Sequence, residues 1–298
     1  MEHSNVLVTG GAGFIGGHIA RRLADDNDVT ILDIRPDAPS DAVSLIEGDI
    51  RDEATVEAAV AGADVVFHEA AMVSVDESVA KPTESHDVNA TGTLNVLEAA
   101  RTHDARVVLA SSAAVYGDPN ETPVPETHPL EPTSPYGLDK LVSDHYARLY
   151  HDLYGLETAA LRYFNVYGPG QTGGDYAGVI EVFLEQARND DPITVHGDGE
   201  QTRDFVHVDD VVQANLLAAE TDAVGEAFNV GTGESVTIRR LAELLRDAVD
   251  SDSEIVHTDP REGDIQHSCA DISNARDELG YEPAFELDEG LRTLIDSI

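Results

Sequence analysis

Residues 6–23, VLVTGGAGFIGGHIARRL, organise the reading of the whole chain. VLVTG (6–10) is a short apolar run of strand type. Ile15, Ile19 and Leu23 then recur at spacings of four, so Phe14–Ala24 reads as a helix. Between strand and helix, Gly10, Gly13 and Gly16 form G-x-x-G-x-x-G. Glycines here permit a tight turn, let the backbone approach a pyrophosphate, and aim the helix N-terminus at it. Asp33 closes the next apolar run, VTILD (29–33). A carboxylate at that point accepts hydrogen bonds from a ribose diol and repels a 2′-phosphate, which favours NAD over NADP; Arg35 close by leaves NADP open. A glycine turn alone is a weak signal, but strand, helix and acid in this order point to a dinucleotide site.

The alternation continues outward. SLIEGDI (44–50) reads as a strand, TVEAAV (55–60) as a helix, and ADVVFHEAA (63–71) as a strand running into a loop. Asp87–Thr102 is a long helix, RVVLASS (106–112) a strand, Ser134–Leu153 a second long helix and ETAALRYFN (157–165) a strand. This order predicts an α/β fold with a Rossmann-type, doubly wound parallel sheet. Beyond residue 165 the pattern loosens. Pro and Gly cluster in YGPGQTGGDYAG (167–178), and helices follow near 178–189, 208–220 and 236–248 with short strands between. The expected division is an NAD-binding Rossmann domain over 1–165, with segments returning from the C-terminal half, and a smaller α/β substrate lobe mainly over 166–298. DPNETPVPETHPLEPTSPYG (118–137), with six prolines, reads as an extended loop near the site rather than a linker.

A length of 298 residues suits one large α/β domain with a smaller lobe. No stretch approaches the ~18 apolar residues of a membrane span. The start, MEHSNVLVTG, lacks a basic segment followed by an apolar one, so no signal peptide is expected. Cys269 is the single cysteine; no internal disulfide can form, which fits a reducing cytoplasm. Asp and Glu total 58 against 18 Lys and Arg, a formal charge of −40 spread along the chain. Phosphate contacts need a positive footprint, so general nucleic-acid binding is excluded. Disorder, the other reading of high charge, conflicts with the regular apolar periodicity. A salt-adapted, halophilic protein fits better: Lys81 and Lys140 are the only lysines, and salt would screen the self-repulsion of such a surface.

Tyr136 and Lys140 lie four apart on the second long helix, hence on one face. A cation beside a phenol favours phenolate and lowers its pKa from about 10, which makes a general base usable near neutral pH. The plainer reading is a chance surface pair, but a chain that has nearly eliminated lysine keeps one here. Ser111 and Ser112 end a strand within ASSAAVYG. A hydroxyl at the C-terminal end of a parallel strand faces the usual ligand crevice, so Ser112 could bond a reacting oxygen; serine at a strand end is more often a cap.

These residues carry a resemblance. The chain resembles the extended short-chain dehydrogenase/reductase family, and within it the NAD-dependent nucleotide-sugar epimerases typified by UDP-glucose 4-epimerase. The matching pieces include VTGGAGFIG (8–16), GDI (48–50), HEAA (68–71), VNATGTLNVLEAA (88–100), SSAAVYGDP (111–119), SPYGLDK (134–140), RYFNVYGP (162–169), TRDFVHVDD (202–210), FNVGTG (228–233) and REGD (261–264). The resemblance implies that Gly10, Gly13, Phe14, Ile15 and Gly16 hold the pyrophosphate, Asp33 the ribose, and Asp49 with Ile50 the adenine edge. Ala70 and Asn89 then line the dinucleotide, and Tyr163 and Phe164 flank the nicotinamide. Ser112, Tyr136 and Lys140 match the catalytic trio. Asn165, Arg203 and Arg261 match residues that bind a substrate diphosphate, and the backbone near Thr194–His196 is where the family meets the base. Forked cationic donors suit a diphosphate, although each arginine could equally serve an ordinary ion pair.

Related dehydratases and a related decarboxylase carry acidic residues between the catalytic hydroxyl and VYG. Ala113 and Ala114 stand there in this chain, and a methyl group neither protonates a leaving hydroxyl nor removes a proton. The resemblance therefore implies C4 epimerisation of a UDP-sugar, the UDP-glucose/UDP-galactose pair, through a 4-keto sugar. Ser268, seven residues after Arg261, is small; it either admits an N-acetylhexosamine or merely fills space. Lys81-Pro82, Gly170 and His68-Glu69 depart from the family pattern. The rival readings are an NAD-dependent sugar dehydrogenase that releases NADH and a non-enzymatic dinucleotide-binding regulator. No metal is expected. A homodimer is expected through helices 87–102 and 134–153, whose apolar positions could equally face the protein's own sheet.

Overall fold

The computed structural model describes residues 1–171, 178–261 and 263–298. Its first unit runs β1 (Asn5–Thr9), α1 (Phe14–Leu23), β2 (Asp28–Asp33), β3 (Ser44–Glu47), α2 (Glu53–Val60) and β4 (Val65–His68). The second adds α3 (Val75–Ala80), α4 (Pro82–His86), α5 (Gly92–His103), β5 (Arg106–Ser112), α6 (Pro135–Tyr154) and β6 (Thr158–Tyr163). The later half holds β7 (Asn165–Tyr167), α7 (Val179–Arg188), β8 (Ile193–His196), β9 (Thr202–Arg203), β10 (Phe205–His207), α8 (Val208–Glu220) and β11 (Glu226–Val230). It ends with β12 (Val236–Thr237), α9 (Ile238–Ala248), β13 (Ile255–Thr258) and α10 (Leu287–Asp296).

Seven of these strands form one parallel sheet in the order β11-β6-β5-β4-β1-β2-β3. The chain builds outward from β1 to β3, then crosses back to β4 and builds the other way, which is the doubly wound arrangement the sequence predicts. Every residue of β4 and β6 is buried, because helices cover both faces. Ile19 of α1 and Val211 of α8 join one core cluster; Val56 of α2, Leu97 of α5 and Tyr150 of α6 join the cluster on the opposite face. Phe183, Ile193, Leu241 and Leu291 form a further core in the later half, while β11 and α8 from that half complete the large sheet.

Several boundaries differ from the sequence reading. The strand expected over 44–50 stops at Glu47: Gly48 still donates to the Asp33 carbonyl (2.9 Å), but the chain then turns, with Asp52 donating to the Asp49 carbonyl (3.0 Å). The strand expected over 157–165 breaks at Phe164. That residue still donates to Val230, but Asn165 donates to Asp204, so β7 leaves the sheet and pairs with β10. The long helix expected from Asp87 is entered through α3, α4 and a π-helical turn over Asp87–Thr91. Residues 172–177, half of the Pro/Gly run at 167–178, lie outside the described residues, as does Glu262 of REGD.

The proline-rich stretch is strapped down at both flanks. Val124 donates to Cys269 (2.8 Å) and accepts from Asp271 (3.0 Å), and Arg162 donates to the Glu126 carbonyl (3.0 Å). Among the described residues no helix is long and apolar enough to cross a membrane.

Candidate active site

Between β1 and β4, where the strand order reverses, a cavity of about 690 Å³ opens at the C-terminal ends of the strands. Gly10, Gly13, Phe14, Ile15, Gly16, Asp33, Asp49, Ile50 and Ala70 all line it. Gly10 has φ +69°, and a β-carbon there would lie 2.7 Å from the Ala70 nitrogen. The turn therefore requires glycine twice over, for its conformation and for its approach to the strand beside it. The Asp33 carboxylate accepts the Ala12 and Arg35 N–H groups, each at 2.9 Å, so the glycine turn itself orients it. Asp49 is chelated by Arg51, whose hydrogen bonds hold its carboxyl below the ordinary range despite partial burial. Arg35 and Arg51 both reach the cavity. Of the two, sequence reasoning missed Arg51; an arginine two residues after an acid at a strand end was the only signal.

Asn89 is buried, and it is not among the cavity-lining residues. Its side-chain oxygen accepts the Met72 N–H (2.8 Å) and its amide donates to the Met72 carbonyl (3.0 Å). It thus clamps the wall formed by residues 70–74. The π-helical turn carries this side chain, a distortion often found at functional positions.

Ser112 ends β5, and its hydroxyl accepts the Ala114 N–H (3.1 Å), capping a 3₁₀ turn. α6 begins with Ser134 as its cap, which accepts the Gly137 N–H (3.0 Å), and with Pro135 in its first turn. The Tyr136 N–H donates to the Ser78 hydroxyl of α3 (3.1 Å), fixing the helix start laterally. These constraints bring the Tyr136 phenol close enough to the Ser112 hydroxyl for that hydroxyl to stabilise its charged form. One turn later Lys140 is buried, and its ammonium donates to the Ala110 carbonyl of β5 (2.9 Å). The trio expected from the sequence is therefore assembled at one strand end.

Its electrostatics differ from expectation. Burial raises the Tyr136 phenol above its ordinary value, and the Ser112 hydrogen bond offsets only part of this. Lys140 does not lower it here, because the ammonium is committed to Ala110 and interacts with Glu69 and Asp139. Burial pulls Lys140 itself down, against those two carboxylates.

Tyr163 and Phe164 are buried in the core. The Tyr163 phenol accepts from Asn215 (2.8 Å) and donates to Glu69 (2.9 Å), and Glu69 is the member of this chain that reaches the cavity. Burial holds the Tyr163 phenol well above its ordinary value, and Glu69 adds to the effect.

The residues matched to substrate binding lie on the later half. Asn165 donates its amide to the Asp204 carbonyl (2.8 Å), which puts it beside Arg203. Thr202 and Ser268 join neighbouring extended segments, Ser268 donating to the Thr202 carbonyl (3.2 Å). The Arg203 guanidinium is partly buried and pairs with Asp264, while Asp118 of the proline-rich stretch acts on it by charge. Arg261 is exposed. Thr194 and His196 sit on β8 with their polar backbone engaged internally: Thr194 N–H donates to Gln186 (3.0 Å), and the His196 carbonyl accepts from Gln201 (2.9 Å). Ser112, Tyr136 and Lys140 come together, and Asn165, Arg203 and Ser268 lie on neighbouring segments, to which His196 is tied through Gln201. Among the described residues no cluster of His, Cys, Asp or Glu could hold a metal ion.

Residues 6–231 match the NAD dependent epimerase/dehydratase family. The chain belongs to that family. The UDP-glucose 4-epimerase of Mycolicibacterium smegmatis is 37% identical over 303 residues, covering 97% of each chain. A UDP-N-acetylglucosamine 4-epimerase from Methanobrevibacter ruminantium, solved with UDP-N-acetylmuramic acid, superposes with a TM-score of 0.95 at 39% identity, covering 100% of this chain and 98% of that one. The Thermus thermophilus UDP-glucose 4-epimerase, solved with NAD, gives 0.87 at 35% identity over 98% of both chains. This family member is an NAD-dependent enzyme, and the lining of its cavity fits NAD: a glycine turn at a helix start suits a pyrophosphate, the Asp33 carboxylate could accept from a ribose diol, and Ile50 and Met72 offer apolar surface to a base.

Proposed function

We propose that this enzyme interconverts the C4 epimers of a UDP-sugar, UDP-glucose and UDP-galactose, through a 4-keto sugar, and that Ser268 leaves room for the N-acetylhexosamine pair. The observation that carries the reading is the convergence of Ser112 at the end of β5, Tyr136 at the start of α6 and Lys140, whose ammonium is held on the Ala110 carbonyl of the same strand, with methyl groups at Ala113 and Ala114 where dehydration or decarboxylation would need acids. Bound NAD supplies a reversible hydride acceptor.

Tyr136 takes the proton of the sugar 4-hydroxyl, and Ser112 bonds the same oxygen. Because burial raises the phenol, a working base needs positive charge beside it. Lys140 supplies that charge by turning from the Ala110 carbonyl. Asn165, Arg203 and Arg261 anchor the diphosphate while the sugar turns, so the same Tyr136 can return the proton on re-reduction of the opposite face. Asp33, Asp49, Ile50, the glycine turn and Ala70 hold the dinucleotide, with Asn89 supporting the wall.

The test is incubation of purified protein in molar KCl with UDP-galactose, then with UDP-N-acetylgalactosamine, followed by proton NMR without added reductant. Conversion to the gluco epimer without net NADH supports the proposal and ranks the sugars. Stoichiometric NADH release would instead identify a dehydrogenase, and NAD binding without any turnover of a panel of UDP-sugars a regulator.

We further propose a homodimer in a salt-rich cytoplasm, with a Rossmann domain over 1–165 to which segments of the C-terminal half return, and a substrate lobe mainly over 166–298. Leu138, Leu149, Leu153 and Tyr154 of α6 are exposed, and a second copy would cover them. Sedimentation showing a monomer would remove the dimer.

A further inference from the structure

Glu69 is a charged cavity-wall residue to which the mechanism gives no role. It directly follows β4, so it stands at the C-terminal edge of the sheet, between the glycine turn after β1 and Lys140, whose ammonium is anchored on β5. Tyr163 of β6 orients the carboxylate by donating to it at 2.9 Å, and Asn215 of α8 holds Tyr163 in turn at 2.8 Å. Both supports are buried, and swinging Glu69 away would strand polar groups in the core. Lys140 is near enough to act on it by charge. Burial pushes this carboxyl up, against the Tyr163 hydrogen bond and Lys140.

Asp33, Asp49, Arg35 and Arg51 occupy the β2–β3 end of the cavity, which suits adenosine and leaves the Glu69 end for the nicotinamide half. A nicotinamide ring carries one positive charge when oxidised and none when reduced. Away from bulk water, a fixed carboxylate favours the cationic ring, and a fixed ammonium opposes it.

We propose that Glu69 sets the oxidation balance of the bound dinucleotide, holding it in the oxidised form. Glu69 exchanges no proton or electron itself; it changes only the relative affinity for the two forms. The inference rests on the NAD site and deepens the epimerase reading, because an enzyme that lost its keto sugar with the dinucleotide reduced would stay inactive.

The test uses cofactor-stripped full-length protein, without sugar, at mildly alkaline pH. Dissociation constants for NAD and NADH are measured by calorimetry, with NADH fluorescence as a second readout. Glu69→Gln is expected to shift the affinity ratio toward NADH about tenfold, which for a two-electron couple is about +30 mV. Glu69→Asp should retain the wild-type ratio, and Lys140→Met should move it the opposite way. Tyr163→Phe removes the hydrogen bond that orients the carboxylate and helps keep it charged, and should shift the ratio in the same direction as Glu69→Gln but by less; a shift larger than that of Glu69→Gln would make the effect one of packing and overturn the proposal. An unchanged ratio in Glu69→Gln also overturns it. Should Glu69→Gln not fold, an unchanged ratio in Glu69→Ala does so instead. Wild-type protein that binds neither dinucleotide overturns this inference and the NAD site together, whereas failure of the sugar assay leaves the affinity ratio as a separate result.

Discussion

A β-carbon on Gly137 would lie 2.7 Å from the carbonyl oxygen of Ala114, so α6 meets the turn after β5 backbone to backbone. This contact sets the approach of Tyr136 to Ser112. Gly137→Ala should push the helix start outward and lower kcat about 10²-fold, the order expected for a misplacement near 1 Å. NAD affinity should be unchanged, since the cavity wall lies elsewhere. Steady-state kinetics beside calorimetry check this; wild-type kcat would show that the contact does not govern catalysis.

Tyr136→Phe removes the proton acceptor and leaves the ring. Turnover should fall by at least ~10²-fold, the ordinary contribution of a positioned acid–base group, with NAD binding retained. Near-normal epimerisation in the NMR assay would end the assignment of Tyr136.

Asp144 is buried between Arg162 and Arg148 and accepts from Ser111. Burial raises its carboxyl, but the hydrogen bonds and charge of Arg162, with Arg148 and Ser111, outweigh it, and the net shift is downward from 3.8. A depressed folded pKa means stability that is present above 3.8 and lost as pH falls through the folded value. Asp144→Asn should therefore cost about 3–5 kcal/mol at neutral pH, the usual penalty for stranding one member of a buried pair. The gap to wild type should close in acid. Urea titrations across pH 2–7 read this, and a pH-independent gap would contradict the assigned ion pair.

Arg203 is already paired with Asp264, so it is oriented before any diphosphate arrives. Arg203→Met should raise KM for the UDP-sugar by about 10–100-fold with a smaller effect on kcat, the pattern of lost uniform binding. Arg203→Lys should recover little, because a point charge does not replace a fork. Equal loss in kcat and kcat/KM would instead place Arg203 in transition-state stabilisation.

With a formal charge of −40, repulsion among carboxylates should dominate the low-salt behaviour. Raising KCl from about 0.1 M to 1 M shortens the screening length from about 10 Å to 3 Å. Tm should rise over that range and continue upward in molar salt. A scanning-calorimetry series showing a flat Tm would remove the salt-adaptation reading.

The glycine turn and the Tyr136–Lys140 pair were legible because each rests on spacing within one short segment, and Asp33 because it closes the next strand; Ser112 joined them through the family resemblance. Glu69 was visible only as a departure from pattern, with nothing to say that Tyr163 would orient it. Asn89 was placed against the dinucleotide, yet its amide holds Met72, because a π-helical turn and a loop from β4 meet there. Arg51 went unread, since its role depends on the chain turning after Glu47.

The sequence by itself determined the parallel doubly wound sheet, the NAD-type turn and the order of its strands and helices. Periodicity, glycine geometry and residue order are properties of short segments and need no partner. Only the tertiary structure decided where the charges act. Lys140 was expected beside the phenol, but its ammonium bonds Ala110 and faces Glu69, while burial raises Tyr136. Desolvation and charge depend on everything packed around a group, and those neighbours come from β4, β5, β6 and α8, which only folding brings together.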